Sequence, residues 1–118
     1  MLKLIAVLIL CLSGIAHADE WTTGQIVGES VFAVATVIDI SQTRDACAHL
    51  KICELNPLMG THPSNVQLRN IGLAEIVLHY AISDMMTGSD RGQWILVTDS
   101  IRIFAVGRNA NIGWRVNW

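Results

Sequence analysis

The sequence predicts an all-α fold: a small bundle of three transmembrane helices that follows a signal peptide and ends in a short extended tail. The 118 residues are 52% hydrophobic and 15% charged, whereas about 25% of residues are charged in an average soluble protein. Three apolar runs each begin with a helix-capping pattern. This length is enough for one domain.

Residues 1–18 have the features of a secretory signal. Lys3 supplies the positive start, the apolar core runs from Leu4 to Leu12, and Ala16-His17-Ala18 provides the small residues of a cleavage site. Cleavage would leave residues 19–118 as a helical membrane domain. The alternative is an uncleaved segment that serves as a fourth helix.

The three capping patterns set the predicted helix starts. They are Thr22-Thr23-Gly24-Gln25, Ser64-Asn65-Val66-Gln67 and Asp90-Arg91-Gly92-Gln93. They predict helices over about residues 23–45, 65–86 and 91–106, with a tail over 107–118. Gly88 and Gly107 are expected to be the left-handed residues that end the second and third helices.

Each predicted helix has about the 20 residues that a membrane span needs, but each contains charged residues. Basic side chains favour a threading in which Asp19 lies outside. Arg44, Lys51, Arg69, Arg108 and Arg115 then lie on the cytoplasmic side, and Arg91 lies on the outer side. We therefore expect an inner-membrane protein; a secreted periplasmic helical domain is the alternative.

The polar residues of each predicted helix share one face at 100° per residue. We expect them to form a buried network, because an ionisable group facing lipid costs about 3 kcal/mol. Depth along the helices predicts a Glu75–Arg102 pair, with His79 bonded to Asp99 or Glu29 above it. The predicted network comprises Glu29, Asp39, Glu75, His79, Asp99 and Arg102.

A structural role for this network is the main expectation, and the Glu75-x-x-x-His79 spacing leaves a proton relay or a metal site as alternatives. The sequence shows no nucleophile–base motif, phosphate loop or metal-binding signature. We therefore predict no catalytic residue, no metal and no cofactor.

The segment between the first two helices is predicted to be a rigid hairpin connector formed by Asn56, Pro57, Gly60, Pro63 and Ser64. Cys47 and Cys53 flank its start. They would form a disulfide in an oxidising compartment but stay reduced in the cytoplasm, where the predicted threading places them.

In the tail, Ile112, Trp114, Val116 and Trp118 alternate with small or polar residues. This period is typical of a strand and would suit the last strand of an outer-membrane barrel. A barrel needs at least eight strands of about 10 residues. The first two apolar segments have helix patterns rather than strand patterns, which argues against a barrel. We expect an interfacial tail whose tryptophans lie at the level of the lipid headgroups.

The segments Asp39-Ile40-Ser41-Gln42-Thr43, Glu54-Leu55-Asn56-Pro57-Leu58-Met59-Gly60 and His62-Pro63-Ser64 resemble those of a group of small, uncharacterised proteins found in bacteriophage and proteobacterial genomes. Asn109 and Gly113 fit a further motif of that group, whereas the Cys47/Cys53 pair does not belong to its pattern. The resemblance implies a small membrane-associated protein and brings no known activity.

The expected function is that of a small integral membrane protein that packs with itself or with another envelope protein, as phage accessory proteins do. Its expected partners are therefore the lipid bilayer, a second copy or another envelope protein. The net charge of −2 argues against nucleic acid as a partner.

Overall fold

The computed structural model describes residues 19–51, 53–54 and 58–116. Within these residues the fold is an up-down-up bundle of three helices: α1 (Thr23–His49), α2 (Asn65–Met85) and α3 (Gly88–Asn111), without a strand. The all-α prediction is confirmed. The predicted signal at 1–18, Asn56 and Pro57 in the connector, and Trp118 in the tail lie outside the described residues.

Two of the three predicted capping boxes are present. At α1 the Thr22 side chain accepts from the Gln25 backbone N–H, and the Gln25 side chain accepts from the Thr22 N–H. Ser64 and Gln67 make the same reciprocal pair at α2. Each box satisfies two N–H groups that the helix leaves unpaired, so both helices start where the sequence predicts.

The third predicted start is wrong. α3 begins at Gly88, after Thr87, and Thr87 makes no side-chain cap. The cap is supplied by a residue far away in sequence: Oδ2 of Asp19 accepts a hydrogen bond from the Gly88 N–H at 2.8 Å. An anion at a helix N-terminus compensates the partial positive charge there. Gly88 therefore starts α3 rather than ending α2.

The predicted end of α3 is also wrong, because the helix continues through Gly107 to Asn111. The left-handed residue is Gly113, with φ 93°. The Trp114 N–H donates to Asn109 O, and the Gly113 N–H donates to Ala110 O. These two bonds form a Schellman motif, which ends the helix five residues later than predicted and shortens the extended tail.

The described residues of the connector between α1 and α2 form a turn at Gly60 and bonds back to the end of α1. Gly60 has φ 74°, which favours glycine, Pro63 is buried, and Ser64 caps α2. His62 Nε2 donates to Cys47 O, and the Cys53 N–H donates to Thr61 O.

Cys47 and Cys53 form a disulfide. The bond is possible because α1 extends to His49, which places Cys47 in its last turn, and Cys53 returns to a Cα–Cα distance of 5.0 Å from it. The reduced state that a cytoplasmic connector would impose stays a prediction for the protein in cells.

The polarity of the bundle is inverted relative to a soluble protein. Among the described residues, nine of the buried side chains are polar or charged and seven are hydrophobic. The outside of every helix carries large apolar side chains, including Val34 on α1, Leu73 on α2, and Leu96 and Phe104 on α3. The polar stripes therefore face one another.

Two glycines let the helices approach closely. A Cβ added to Gly28 of α1 would collide with Ile95 of α3, and one added to Gly72 of α2 would lie 2.8 Å from Ile40 Cγ1 of α1. Small residues at such crossings allow close packing between membrane helices, where hydrophobic burial gives little drive.

Candidate functional site

The buried polar side chains form three successive layers along the bundle, which we call the Arg91, His79 and Arg102 layers. The first lies where α1 and α3 begin and α2 ends. The other two are deeper and contain all six residues of the network predicted from the sequence, with Asp99 beside His79 but not bonded to it.

The His79 layer joins all three helices through one imidazole. Nδ1 of His79 on α2 donates to Glu29 Oε1 of α1 at 2.8 Å, and Nε2 lies 2.7 Å from Thr98 Oγ1 of α3. Ser83 Oγ donates to the second oxygen of Glu29 at 3.1 Å. The side chains of His79 and Glu29 are 3% and 13% exposed, so these bonds are shielded from bulk solvent.

Aromatic rings hold the imidazole in place. Phe32 of α1 stacks on His79 with ring centroids 3.6 Å apart, and Trp94 of α3 lies at 5.3 Å. Phe32 is an apolar residue on the otherwise polar face of α1. The structure gives a reason for it there: both ring nitrogens of His79 are bonded, and the Phe32 ring covers the apolar face of the imidazole.

The chain of hydrogen bonds through this layer runs from Glu29 through His79 to Thr98 and ends at backbone carbonyls of α3. Thr98 Oγ1 lies 2.8 Å from Trp94 O and 2.7 Å from His79 Nε2. A hydroxyl has one proton, so Thr98 can donate either to a neutral imidazole or, when Nε2 carries a proton, to the backbone carbonyl. The same heavy-atom geometry therefore fits both protonation states of His79.

Asp99 does not bond to His79, although the sequence left it as one of two candidate partners. Glu29 and Thr98 occupy the two ring nitrogens instead. Asp99 lies one residue further around α3, beside Gly28, and within the described part of the chain its Oδ1 is buried without a hydrogen-bond partner.

The Arg102 layer is the main ionic cluster. Arg102 of α3 donates through Nη2 to Glu75 Oε2 of α2 and through Nη1 to Asp39 Oδ2 of α1, both at 2.8 Å. The pair expected from equal depth is present, and Asp39 is an additional partner. Asn109 Nδ2 donates to Asp39 Oδ1 at 2.8 Å. Asn109 is absent from the predicted network because the third helix was predicted to end before it.

Arg91, predicted only as the basic residue on the outer side, has a structural role that the sequence did not indicate. Its side chain is fully buried. Nε donates to Ser83 O and Nη2 donates to Met86 O, both at 2.8 Å, and Trp21 covers the guanidinium at 4.6 Å. A cation at a helix C-terminus satisfies its unpaired carbonyls. The contact depends on the two-residue turn between α2 and α3, which is shorter than the predicted helix bounds allow.

The described residues contain no group of three or more His, Cys, Asp or Glu side chains arranged to hold a metal ion. Two grooves run along the outside of the bundle, one between α1 and α2 and one between α1 and α3. His79, Glu29 and Arg102 line neither of them. The bonds within these layers thus hold the three helices together, and the two grooves lie apart from the His79, Glu29 and Arg102 side chains.

Comparison of the chain with family models, curated proteins and solved structures finds no match to any of them. Its function is therefore inferred from its own geometry.

Proposed function

We propose that this chain is a small integral membrane protein whose three helices span a bilayer and which acts by helix packing with a second copy or another envelope protein. The observation that carries the proposal is the inverted polarity of the bundle. Two ionic clusters lie inside, His79 with Glu29 and Arg102 with Asp39 and Glu75. On the outside, Leu96, Ile101 and Phe104 of α3 are 68%, 65% and 72% exposed. In water, an apolar surface that covers every helix would drive aggregation.

The helix lengths agree with a membrane location. α1, α2 and α3 have 27, 21 and 24 residues, which at about 1.5 Å per residue gives roughly 40, 31 and 36 Å. The hydrocarbon core is about 30 Å thick. Of the described helices, α1 is both long and apolar enough to cross a membrane by composition alone. Among the charged residues of α2 and α3, Glu75 and Arg102 are paired with each other inside the bundle.

Fractionation tests this proposal directly. We expect the full chain to stay in the inner-membrane pellet after washing with alkaline carbonate and to be released by detergent. Ile101→Lys would place a charge on the apolar surface, which costs about 3 kcal/mol in a bilayer, and should reduce the fraction that withstands carbonate. Arg108→Lys, on the same helix, is the matched control. Full release of the unaltered chain by carbonate would contradict a membrane-spanning protein.

The disulfide favours a second candidate, a secreted periplasmic helical domain. A Cys47–Cys53 bond persists in an oxidising compartment and is rare in the cytoplasm. If the second candidate is correct, osmotic shock should release the protein and the carbonate pellet should be empty. The exposed apolar side chains would then need a protein partner in place of lipid.

A further inference from the structure

The groove between α1 and α2 combines an apolar wall with two cations at one end. Its volume is about 560 Å³, within the range of about 300–1,000 Å³ that is usual for small-molecule sites. Val37 and Ile40 of α1 and Leu73 of α2 form part of the wall, and Gly72 contributes no side chain to it. Arg44 and Arg69 are the charged residues among those that line it.

The two arginines lie at the same level. Arg44 is five residues before the end of α1, and Arg69 is four residues after the start of α2, which places both about 6–8 Å from the connector end of their helices. Both side chains are exposed. Within the described part of the chain, neither guanidinium has an ion pair or hydrogen bond. The neighbouring carboxylate of Asp45 accepts the backbone N–H of Arg115 instead.

The length of the groove matches one leaflet. From Arg44 it reaches along α1 to Thr36, eight residues or about 12 Å. Half of a hydrocarbon core of about 30 Å is about 15 Å. A chain that enters beside the two arginines would therefore end near the middle of the membrane.

We propose that this groove binds an anionic phospholipid, with one acyl chain along α1 and α2 and the headgroup phosphate held by Arg44 and Arg69. The inference rests on the proposed membrane location. Arginine suits this role because its planar fork donates two hydrogen bonds to a phosphate. Basic sites between transmembrane helices bind anionic headgroups in the same way.

The groove between α1 and α3 can be compared with the groove between α1 and α2. The second groove, between α1 and α3, is lined by Val31, Val34, Ile103 and other residues, none of them charged. It can accept an acyl chain of any lipid but offers nothing to a phosphate. Selectivity for anionic lipid is therefore a property of the first groove.

The test uses the full chain purified in detergent and measures its melting temperature with added phosphatidylglycerol or phosphatidylcholine. Two arginines at a lipid surface favour an anionic headgroup by about 30-fold. We expect this preference for phosphatidylglycerol in the unaltered chain and in Arg108→Gln, which changes an exposed arginine at the same end of the bundle. In the double variant Arg44→Gln/Arg69→Gln the preference for phosphatidylglycerol over phosphatidylcholine should be lost.

Two results would overturn the inference: an unchanged preference in the double variant, or an equal stabilisation by inorganic phosphate without lipid. A groove-narrowing variant, Val37→Phe, provides a second measurement and should weaken binding of both lipids. Carbonate washing of the double variant separates this inference from the proposed function. Retention in the membrane together with an unchanged lipid preference would defeat the lipid site alone, whereas release of the unaltered chain would defeat the membrane location.

Discussion

At the scale of single residues, Arg102 is the residue on which the ionic part of the core depends. Its guanidinium is shared between Glu75 of α2 and Asp39 of α1, so one side chain of α3 ties down both other helices. All three side chains are partly buried, at 18% exposure for Arg102 and Asp39 and 31% for Glu75. Removing the cation would leave two carboxylates in an apolar bundle.

Arg102→Met should lower the free energy of unfolding in detergent by about 3–5 kcal/mol, because it strands two partly buried charges. Glu75→Gln should cost less, since Arg102 keeps Asp39. The double variant should cost clearly less than the sum of the two. Thermal unfolding of the four proteins forms a double-mutant cycle, and additive losses would show that the two side chains are not coupled.

The sequence predicts this layer in part because depth along a helix follows from residue number. Counted from a predicted third-helix start at Arg91, Glu75 and Arg102 are level. The observed start at Gly88 offsets them by about one turn, and their side chains still form the ion pair. The same reasoning could not choose between Glu29 and Asp99 for His79, because those two differ in rotation about the bundle, which depends on the crossing angles. It also missed Asn109, since a Schellman motif at Gly113 extends α3 beyond the predicted end.

At the scale of the helices, close approach at Gly28 and Gly72 sets how the layers meet. Ile95 packs against Gly28 and Ile40 packs against Gly72, so the α1–α3 and α1–α2 spacings depend on the absence of a side chain at these two glycines.

The capping boxes show what local sequence can predict: Thr22 and Ser64 act within three residues of their partners. The cap of α3 comes from Asp19, 69 residues away, and no local pattern predicts it.

Gly28→Ala should destabilise the bundle by about 1–3 kcal/mol, because the added methyl group overpacks the contact with Ile95. Gly107→Ala is the matched control: it is also a helical glycine, but its Cβ would meet nothing within 4 Å. There the change should stabilise α3 by up to about 1 kcal/mol through helix propensity. Equal shifts of melting temperature in the two variants would refute the role of close approach.

At the scale of the whole molecule, two features point to opposite sides for the connector. Arg44, Lys51, Arg69, Arg108 and Arg115 all belong to the connector end, which the positive-inside rule places in the cytoplasm. The burial of Arg91 strengthens this asymmetry, since the one basic residue expected at the other end is not exposed there. The Cys47–Cys53 bond points to an oxidising compartment.

We predict that the charge asymmetry decides the threading, because basic residues in short loops orient a membrane protein during insertion. Cys47 and Cys53 would then be thiols in cells, held close enough to form the disulfide once the protein is oxidised. A membrane-impermeant maleimide should not label them in intact spheroplasts. It should label both after permeabilisation without reductant. Cys47→Ser/Cys53→Ser is the control for labelling at other positions.

The alternative gives a different pattern in the same experiment. A disulfide on the periplasmic side resists the maleimide in intact and in permeabilised spheroplasts, and becomes reactive from outside once a reductant is added. That result would place the connector in the periplasm and invert the threading if carbonate washing leaves the protein in the membrane. If carbonate releases the protein, the same labelling pattern identifies the secreted helical domain.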